Sequence, residues 1–374
     1  MTERRGRLVL ISCSNGQETT QLIKSHLERL CEKKRELKTD EEGIEEQLEF
    51  IDYTSKKGIR AFKTNVARFK DGEVRPEIKK VISGKDVFFV QNTYNPIDTK
   101  STNTNLIELL LTADAIRRCD PANLTLIQPY LSYSKQERTQ GGQSNSTSTI
   151  LSCIKESGVK RLITMELHAL ATEGFTRPEN MLIEGLYTSA VILDLLPKIL
   201  TDKNDVLLAP DAGAAKRVNY LRTCTGYKID HLEKYRKPDS CHESIREEEK
   251  LDVEGKSVAI IDDQIAGGGT LVSGAKLAKK AGATKVYGIA THGLLFGNAE
   301  EDIRRAHQDG HLDMTYITNT IIHPREFFQR NQHITELDIT GILAHAIFQI
   351  HTDGDIKKVY SPILRKALCG DGYD

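Results

Sequence analysis

At 374 residues the chain exceeds what a single ordinary core organises, so two domains are expected. A formal net charge of -1, with 28% charged and 39% hydrophobic residues, excludes a strongly basic nucleic-acid binder and an acidic tail, and describes a soluble globular protein. No apolar run nears the roughly 18 residues that span a bilayer, and the run at the N-terminus is too brief for a secretory leader. Seven cysteines, scattered and without a C-x-x-C pair, predict reduced thiols in a cytoplasm rather than disulfides or structural zinc.

Taken along the chain, RLVLIS (7–12), DVFFVQN (86–92), LTLIQPYL (124–131), RLITMEL (161–167), DVLLAP (205–210), SVAIID (257–262) and VYGIATHG (286–293) read as strands. Amphipathic segments at 105–119, 147–158 and 270–282 separate several of them. Fully apolar strands alternating with helices imply βαβ units and buried parallel sheets. The rhythm runs to about residue 180 and begins again near 185, which predicts two similar α/β domains, 1–182 and 183–374. The run 31–49, dense in both charges, reads as a solvated helix or surface insertion.

The segment IIDDQIAGGGT (260–270) places two acids where an apolar strand ends, followed by three glycines and a threonine that opens a helix. In an open parallel sheet, ligands bind beyond the carboxyl ends of the strands. Gly267, Gly268 and Gly269 let backbone amides approach an anion, and the helix start beyond Thr270 favours a phosphate. Asp262 and Asp263 repel phosphate, so they face sugar hydroxyls or a metal ion. The nucleotide loops G-x-x-x-x-G-K-[ST] and G-x-G-x-x-G are both absent here. The residues alone also fit an ordinary strand-to-helix turn capped by Thr270.

This segment resembles the phosphoribosyl-pyrophosphate loop of the type I phosphoribosyltransferase fold, which both transferases and the pyrophosphate-forming synthetase use. The other segments resemble the synthetase, the ribose-phosphate pyrophosphokinase family. NTNLIELLLTADAIRR (103–118) is similar to N-D-N-L-M-E-L-L, QPYLSYSKQERT (128–139) to P-Y-x-x-Y-A-R-Q-D-R, and MELHALATEGF (165–175) to D-L-H-A-x-Q-I-Q-G-F-F. APDAGAAKR (209–217), LEKYRK (232–237), RFKDGE (68–73) and THGLLFGNA (291–299) resemble S-P-D-A-G-G-A-K-R, K-x-R, F-x-D-G-E and T-H-G-x-F-S-G-x-A. The resemblances run in one order across about residues 69 to 320.

The resemblance implies two type I phosphoribosyltransferase-like domains, each a mainly parallel sheet flanked by helices. It implies transfer of the diphosphoryl group of ATP to the 1-hydroxyl of ribose 5-phosphate, giving phosphoribosyl pyrophosphate and AMP, with Mg2+ as cofactor. Carried over by position, Lys234 and Arg236 are catalytic, and Asp262, Asp263, Gly267, Gly268, Gly269 and Thr270 bind ribose 5-phosphate. Phe69, Asp71 and Glu73 with Lys135 and Gln136 bind ATP, and His168 and Asp211 hold the metal–ATP. The family's ATP site draws on a neighbouring subunit, which implies a homo-oligomer, dimeric or hexameric, with neither nucleic acid nor membrane as partner. On composition alone, residues 233–250 fit either a mobile lid or a solvated loop.

The pattern departs in places. Ala266 and Gly267 stand where many members carry Asp-Thr, Lys135 stands for Arg, and Glu166 and Glu173 stand for Asp and Gln. GQSNSTST (142–149) replaces P-I-S/T-A-K, and the 31–49 run has no counterpart. A non-catalytic paralogue that associates with a true synthetase is the alternative these departures leave open, with a base phosphoribosyltransferase as the third reading.

Overall fold

The computed structural model describes residues 6–36, 59–97, 100–139, 141–232, 234–236, 243–245 and 251–357. They fall into two compact units, Met1–Tyr187 with Ile339–Asp374, and Thr188–Asp338.

The first unit is built on strands β1 (Leu8–Ser12), β2 (Arg60–Lys63), β5 (Asp86–Val90), β6 (Asn123–Ile127), β7 (Arg161–Met165) and β8 (Leu182–Leu186). They form one sheet in the order β2-β1-β5-β6-β7-β8, and every pairing is parallel. β1 and β5 are buried along their whole length, which explains their unbroken apolar sequences. Between β2 and β5 an antiparallel hairpin of β3 (Asn65–Arg68) and β4 (Val74–Glu77) stands off this sheet. The helices are α1 (Gln17–Glu36), α2 (Thr102–Arg117) and α3 (Ser146–Glu156). Ser101 and Asn145 cap α2 and α3 by accepting from the amides of Thr104 and Ser148. The charged run 31–49 begins as the last turns of α1, and its remainder lies outside the described residues.

The second unit repeats the plan. Helices α4 (Ser189–Ile199), α5 (Ala212–Thr225), α6 (Gly269–Lys280), α7 (Ala299–Gln308) and α8 (Arg325–Arg330) accompany six strands. These are β9 (Val206–Ala209), β10 (Lys228–His231), β13 (Ser257–Ile265), β14 (Lys285–Gly293), β15 (Met314–Thr318) and β16 (Ile334–Leu337), in the order β10-β9-β13-β14-β15-β16. All five pairings are parallel, and apolar clusters centred on Ile260 and Ile261 pack the two faces. A short antiparallel hairpin joins β11 (Lys234–Arg236) to β12 (Glu243–Ile245).

The last helix, α9 (Thr340–His351), belongs with the first unit although a division at 182/183 assigns it to the second half. All twelve of its residues are buried, so no face of it is left for solvent, and it packs on α1. His351 Nδ1 meets Asp86 Oδ2 at 2.7 Å, with both side chains fully buried. Asp86→Ala is expected to cost about 3 kcal/mol, because it removes a fully buried carboxylate that meets the His351 ring and leaves a cavity in its place. Chemical denaturation measures this, and an unchanged midpoint would show that the pair carries no stability.

Candidate active site

In the second sheet β9 leads through α5 to β10 on one side, while β13 continues on the other. The strand order therefore reverses between β9 and β13, the place where open sheets bind ligands. Asp211 lies just beyond β9, and Asp262 and Asp263 lie near the end of β13. Asp211 caps α5, its Oδ1 accepting from the amide of Ala214 at 2.9 Å. Asp263 is 8% exposed, while Asp262 is half-buried and accepts the Asp263 amide at 2.8 Å. Burial, the Asp263 charge and hydrogen bond, and the Asp211 charge push the Asp262 carboxyl up to about 7. The corner is thus a concentrated negative site that a sugar hydroxyl or a cation relieves.

The strand runs further than the sequence suggests. β13 continues through Asp263 and Gln264 to Ile265, and α6 starts at Gly269 with Gly268 as its cap, so Thr270 is the second helical residue rather than the cap. Parallel pairing of Gln264 with His292 and of Ile265 with Gly293 extends the strand past the acids. Gly268 has φ +78, and a Cβ there would sit 3.5 Å from Ala299, so this position needs glycine for its backbone. Val272 donates the first intrahelical bond, to Gly268 O. The amides of Gly269, Thr270 and Leu271 precede it and end the helix as anion-seeking donors.

The end of β14 holds the corner from the side. Leu294 and Leu295 amides both donate to Ile265 O, and the Phe296 amide donates to Ala266 O at 3.1 Å. His323 Nε2 donates to Gly293 O at 2.7 Å, and burial lowers its pKa, which keeps the ring neutral. Phe296 is 51% exposed, and its ring lies 3.9 Å from where a Gly267 Cβ would be. Sequence reasoning did not single it out. The available signal was an aromatic ring standing in THGLLFGNA where the resembled pattern has serine.

The remaining candidates of the second unit, Lys234 and Arg236, occupy alternate positions of β11, in register with Ile245 and Glu243 of β12. The rest of 233–250 lies outside the described residues.

In the first unit, Phe69, Asp71 and Glu73 form the tip of the β3–β4 hairpin. The amide of Phe69 donates to Glu73 O, that of Gly72 donates to Phe69 O, and Asp71 Oδ1 accepts from the Glu73 amide at 3.0 Å. The tip is well formed, yet the Phe69 ring is 51% exposed, with the Arg75 guanidinium 5.6 Å from its centre. Lys135 and Gln136 are exposed in the turn after β6. Segment 142–149 holds that turn in place: Ser146 donates to the Gln136 side chain, and Thr147 Oγ1 donates to Tyr133 O at 2.6 Å. The departure from the resembled pattern therefore supplies a helix cap and a tether. His168 is exposed beyond β7, two residues after Glu166, a buried non-glycine with φ +41. Glu173 accepts the Gly185 amide, which gives that departure a structural role as well.

Beside the hairpin, Glu108 on α2 accepts from Cys13 Sγ, the Ser14 amide and Arg68 Nη2 at the end of β3. Burial and the Glu108 charge push the Cys13 thiol up to about 12. Alkylation at pH 8 is expected to modify the exposed Cys153 and Cys224 and leave Cys13 intact, as read by mass spectrometry. Modification of Cys13 at a comparable rate would contradict the buried hydrogen bond.

No group of three or more His, Cys, Asp or Glu side chains among the described residues is arranged to hold a metal. A hard divalent cation keeps several waters and takes one or two carboxylates together with substrate phosphates. The crowded oxygens of Asp211, Asp262 and Asp263 are the hard donors such an ion prefers.

Residues 8–158 match the model of the N-terminal domain of ribose phosphate pyrophosphokinase, and residues 250–361 that of the phosphoribosyl synthetase-associated domain. The chain is 34% identical over 311 residues to the ribose-phosphate pyrophosphokinase of Helicobacter hepaticus, covering 81% of this chain and 92% of that protein. It belongs to the ribose-phosphate pyrophosphokinase family. The Helicobacter pylori enzyme of the same name is 30% identical, over 81% of this chain and 90% of its own. The phosphoribosylpyrophosphate synthetase of Mycobacterium smegmatis superposes with a TM-score of 0.75 at 20% identity, covering 93% of this chain and 100% of that one, a likeness of fold. Family membership accounts for the two parallel-sheet units found in one chain. Among the described residues no helix is long and apolar enough to cross a membrane.

Proposed function

We propose that this protein transfers the diphosphoryl group of ATP to the 1-hydroxyl of ribose 5-phosphate, forming phosphoribosyl pyrophosphate and releasing AMP. The observation that carries the reading is the corner of the second unit, where paired acids and helix-end amides meet at the strand reversal between β9 and β13. Asp262 and Asp263 accept from the ring hydroxyls, and the backbone of Gly267, Gly268 and Gly269 with the amide and hydroxyl of Thr270 cradles the 5-phosphate. The sugar is thereby held with its 1-hydroxyl towards the diphosphate. The new bond joins that oxygen to the β-phosphorus as the bond from the β-phosphorus to the AMP oxygen breaks.

Positioning and charge neutralisation dominate such a transfer. Lys234 and Arg236 place two cations on the transferring group and balance charge developing towards AMP. Phe69 stacks on adenine, Asp71 and Glu73 accept from the base or ribose, and Lys135 and Gln136 complete the nucleotide contacts. The exposed ring of Phe69, at the tip of a hairpin standing off its sheet, suits a partner subunit's nucleotide and supports the reading of a homo-oligomer that shares its ATP sites. Mg2+ bound to ATP would be held by Asp211 and, directly or through water, by His168, each beyond a strand's carboxyl end in its own unit. The ion would supply positive charge that offsets the charge of the phosphates. A cytoplasmic location keeps the thiols reduced.

The test supplies purified protein with Mg-ATP and ribose 5-phosphate and follows AMP. Release of AMP that requires the sugar supports the reading. Intact binding of both ligands without AMP overturns it in favour of a non-catalytic paralogue.

A further inference from the structure

The segment after β14 carries three apolar residues in a row, Leu294, Leu295 and Phe296, and the fold treats them differently. Leu294 is 3% exposed and Leu295 packs against the core cluster around Ile260, whereas the Phe296 ring stays half exposed. Leu295 is held at φ +49, a left-handed conformation that side-chain-bearing residues seldom adopt and that persists only where surrounding bonds impose it. Those bonds are present. The Leu294 and Leu295 amides donate to Ile265 O, the Phe296 amide donates to Ala266 O, and the Ala299 amide closes a turn onto Phe296 O. The ring is therefore presented by a fixed backbone and not left outside by slack in the loop.

What it is presented to is the glycine loop. Apart from its neighbours in the chain, a Cβ at Gly267 would meet Phe296 Cε2 at 3.9 Å and nothing else within 4 Å. The backbone of Gly267 does not take a positive φ, so glycine there serves to leave room beside the ring. A Cβ at Gly269, two residues on, would meet nothing within 4 Å. The anion-seeking end of α6 is thus open at Gly269 and bordered by an aromatic edge at Gly267. Ala266 and Gly267 add no polar side chain to that border. An aromatic edge carries partial positive charge, so it tolerates an anion beside it while offering water no hydrogen bond.

We propose that Phe296 is a positioning residue for the sugar phosphate: its ring is an apolar wall at the 5-phosphate end of the corner, braces the glycine loop and keeps water off the hydrogen bonds between phosphate and helix-end amides. The inference rests on the reading of this corner as the ribose 5-phosphate site. Hydrogen bonds to an ion are stronger where water is excluded. Three successive glycines also lose much conformational freedom on ordering. The bonds from 294–296 to Ile265 and Ala266 hold the start of that loop beforehand, which lessens what the ligand must order.

The experiment titrates ribose 5-phosphate into the full chain by calorimetry at low and high salt, and reads KM and kcat from AMP release. The variants are Phe296→Ala, Phe296→Leu, Gly267→Thr, the double variant Gly267→Thr with Phe296→Ala, and Thr270→Val. Phe296→Ala is expected to weaken binding about tenfold, with the loss larger in KM than in kcat. Its affinity should also fall more steeply with salt than that of wild type, because the uncovered phosphate is screened. Phe296→Leu keeps an apolar wall and should stay within about threefold of wild type. Gly267→Thr sets γ atoms against the ring, so it should cost more in wild type than in the Phe296→Ala background. The half-exposed ring supports little of the core, so thermal unfolding of the Phe296 variants should stay close to wild type. Unchanged affinity and salt dependence in Phe296→Ala, a Phe296→Leu variant as weak as Phe296→Ala, or additive losses in the double variant each overturn the wall. If Thr270→Val still weakens binding in those cases, the sugar corner stands without it. Absence of ribose 5-phosphate binding in wild type, or binding that Thr270→Val leaves untouched, overturns the corner and the wall together.

Discussion

Lys234→Ala is expected to lower kcat by about 10²- to 10³-fold while leaving the affinity for ribose 5-phosphate within about twofold. The size follows from what one preorganised donor contributes when charge develops in a transition state. The selectivity follows from where the residue sits. Lys234 and Arg236 belong to the β11–β12 hairpin, whereas the acids and free amides of the sugar corner belong to β13 and the start of α6. Removing a cation that acts only in the transition state raises the barrier and leaves the ground-state hold on the sugar unchanged. Arg236→Ala should behave alike, and the double variant should lose less than the product of the single losses if both cations serve one phosphoryl group. AMP release gives the rate and calorimetry gives the affinity. Parallel loss of both would show that the hairpin supports the corner instead of acting on the diphosphate.

The sheets were largely legible because buried parallel strands carry continuous apolar runs. DVFFVQN, SVAIID and VYGIATHG coincide with β5, β13 and β14, and the helix segments at 105–119, 147–158 and 270–282 coincide with α2, α3 and α6 to within a few residues. Short half-exposed strands left no such trace. β2, β3, β4 and β10 mix exposed and half-buried positions, so pairing with a neighbour, not composition, makes them strands. The return of α9 to the first unit is a tertiary choice that no local pattern encodes.

The candidate site was legible as chemistry and less so as geometry. Asp262, Asp263 and the glycines were chosen for the reactions their side chains and backbones permit, and the strand reversal between β9 and β13 is where the structure puts them. The extra three strand residues after Asp262 were hidden because Asp263 and Gln264 look like a turn until β14 pairs beside them. The capping role passed from Thr270 to Gly268 because the chain turns there through a positive φ of +78, a backbone choice that three successive glycines leave open in the sequence. Phe296 became visible only when the amide bonds from β14 to Ile265 and Ala266 brought its ring to Gly267.

Asp262→Asn is expected to stabilise the ligand-free protein above neutral pH and to weaken ribose 5-phosphate binding by about 10- to 100-fold. Both effects arise from one cause. Burial, Asp263 and Asp211 raise the Asp262 carboxyl from 3.8 to about 7, so the folded chain holds this proton more tightly than the unfolded chain does. The stabilisation associated with that proton is complete below pH 3.8, falls as pH rises through the interval, and is gone above about 7. At pH 8 wild-type protein therefore carries the full cost of a crowded carboxylate, on the order of a few kcal/mol, and asparagine removes it without changing the side chain's shape. In the proposed function the same carboxylate accepts from the ring hydroxyls, and a charge-assisted hydrogen bond of about 1.5–3 kcal/mol accounts for the expected loss of affinity. Metal-free thermal unfolding at pH 5 and pH 8 should show Asp262→Asn gaining in Tm over wild type mainly at pH 8, with calorimetry reporting the weaker sugar phosphate. An equal change in Tm at both pH values would mean that the acid is not raised. Unaltered ribose 5-phosphate affinity would remove Asp262 from the corner's work.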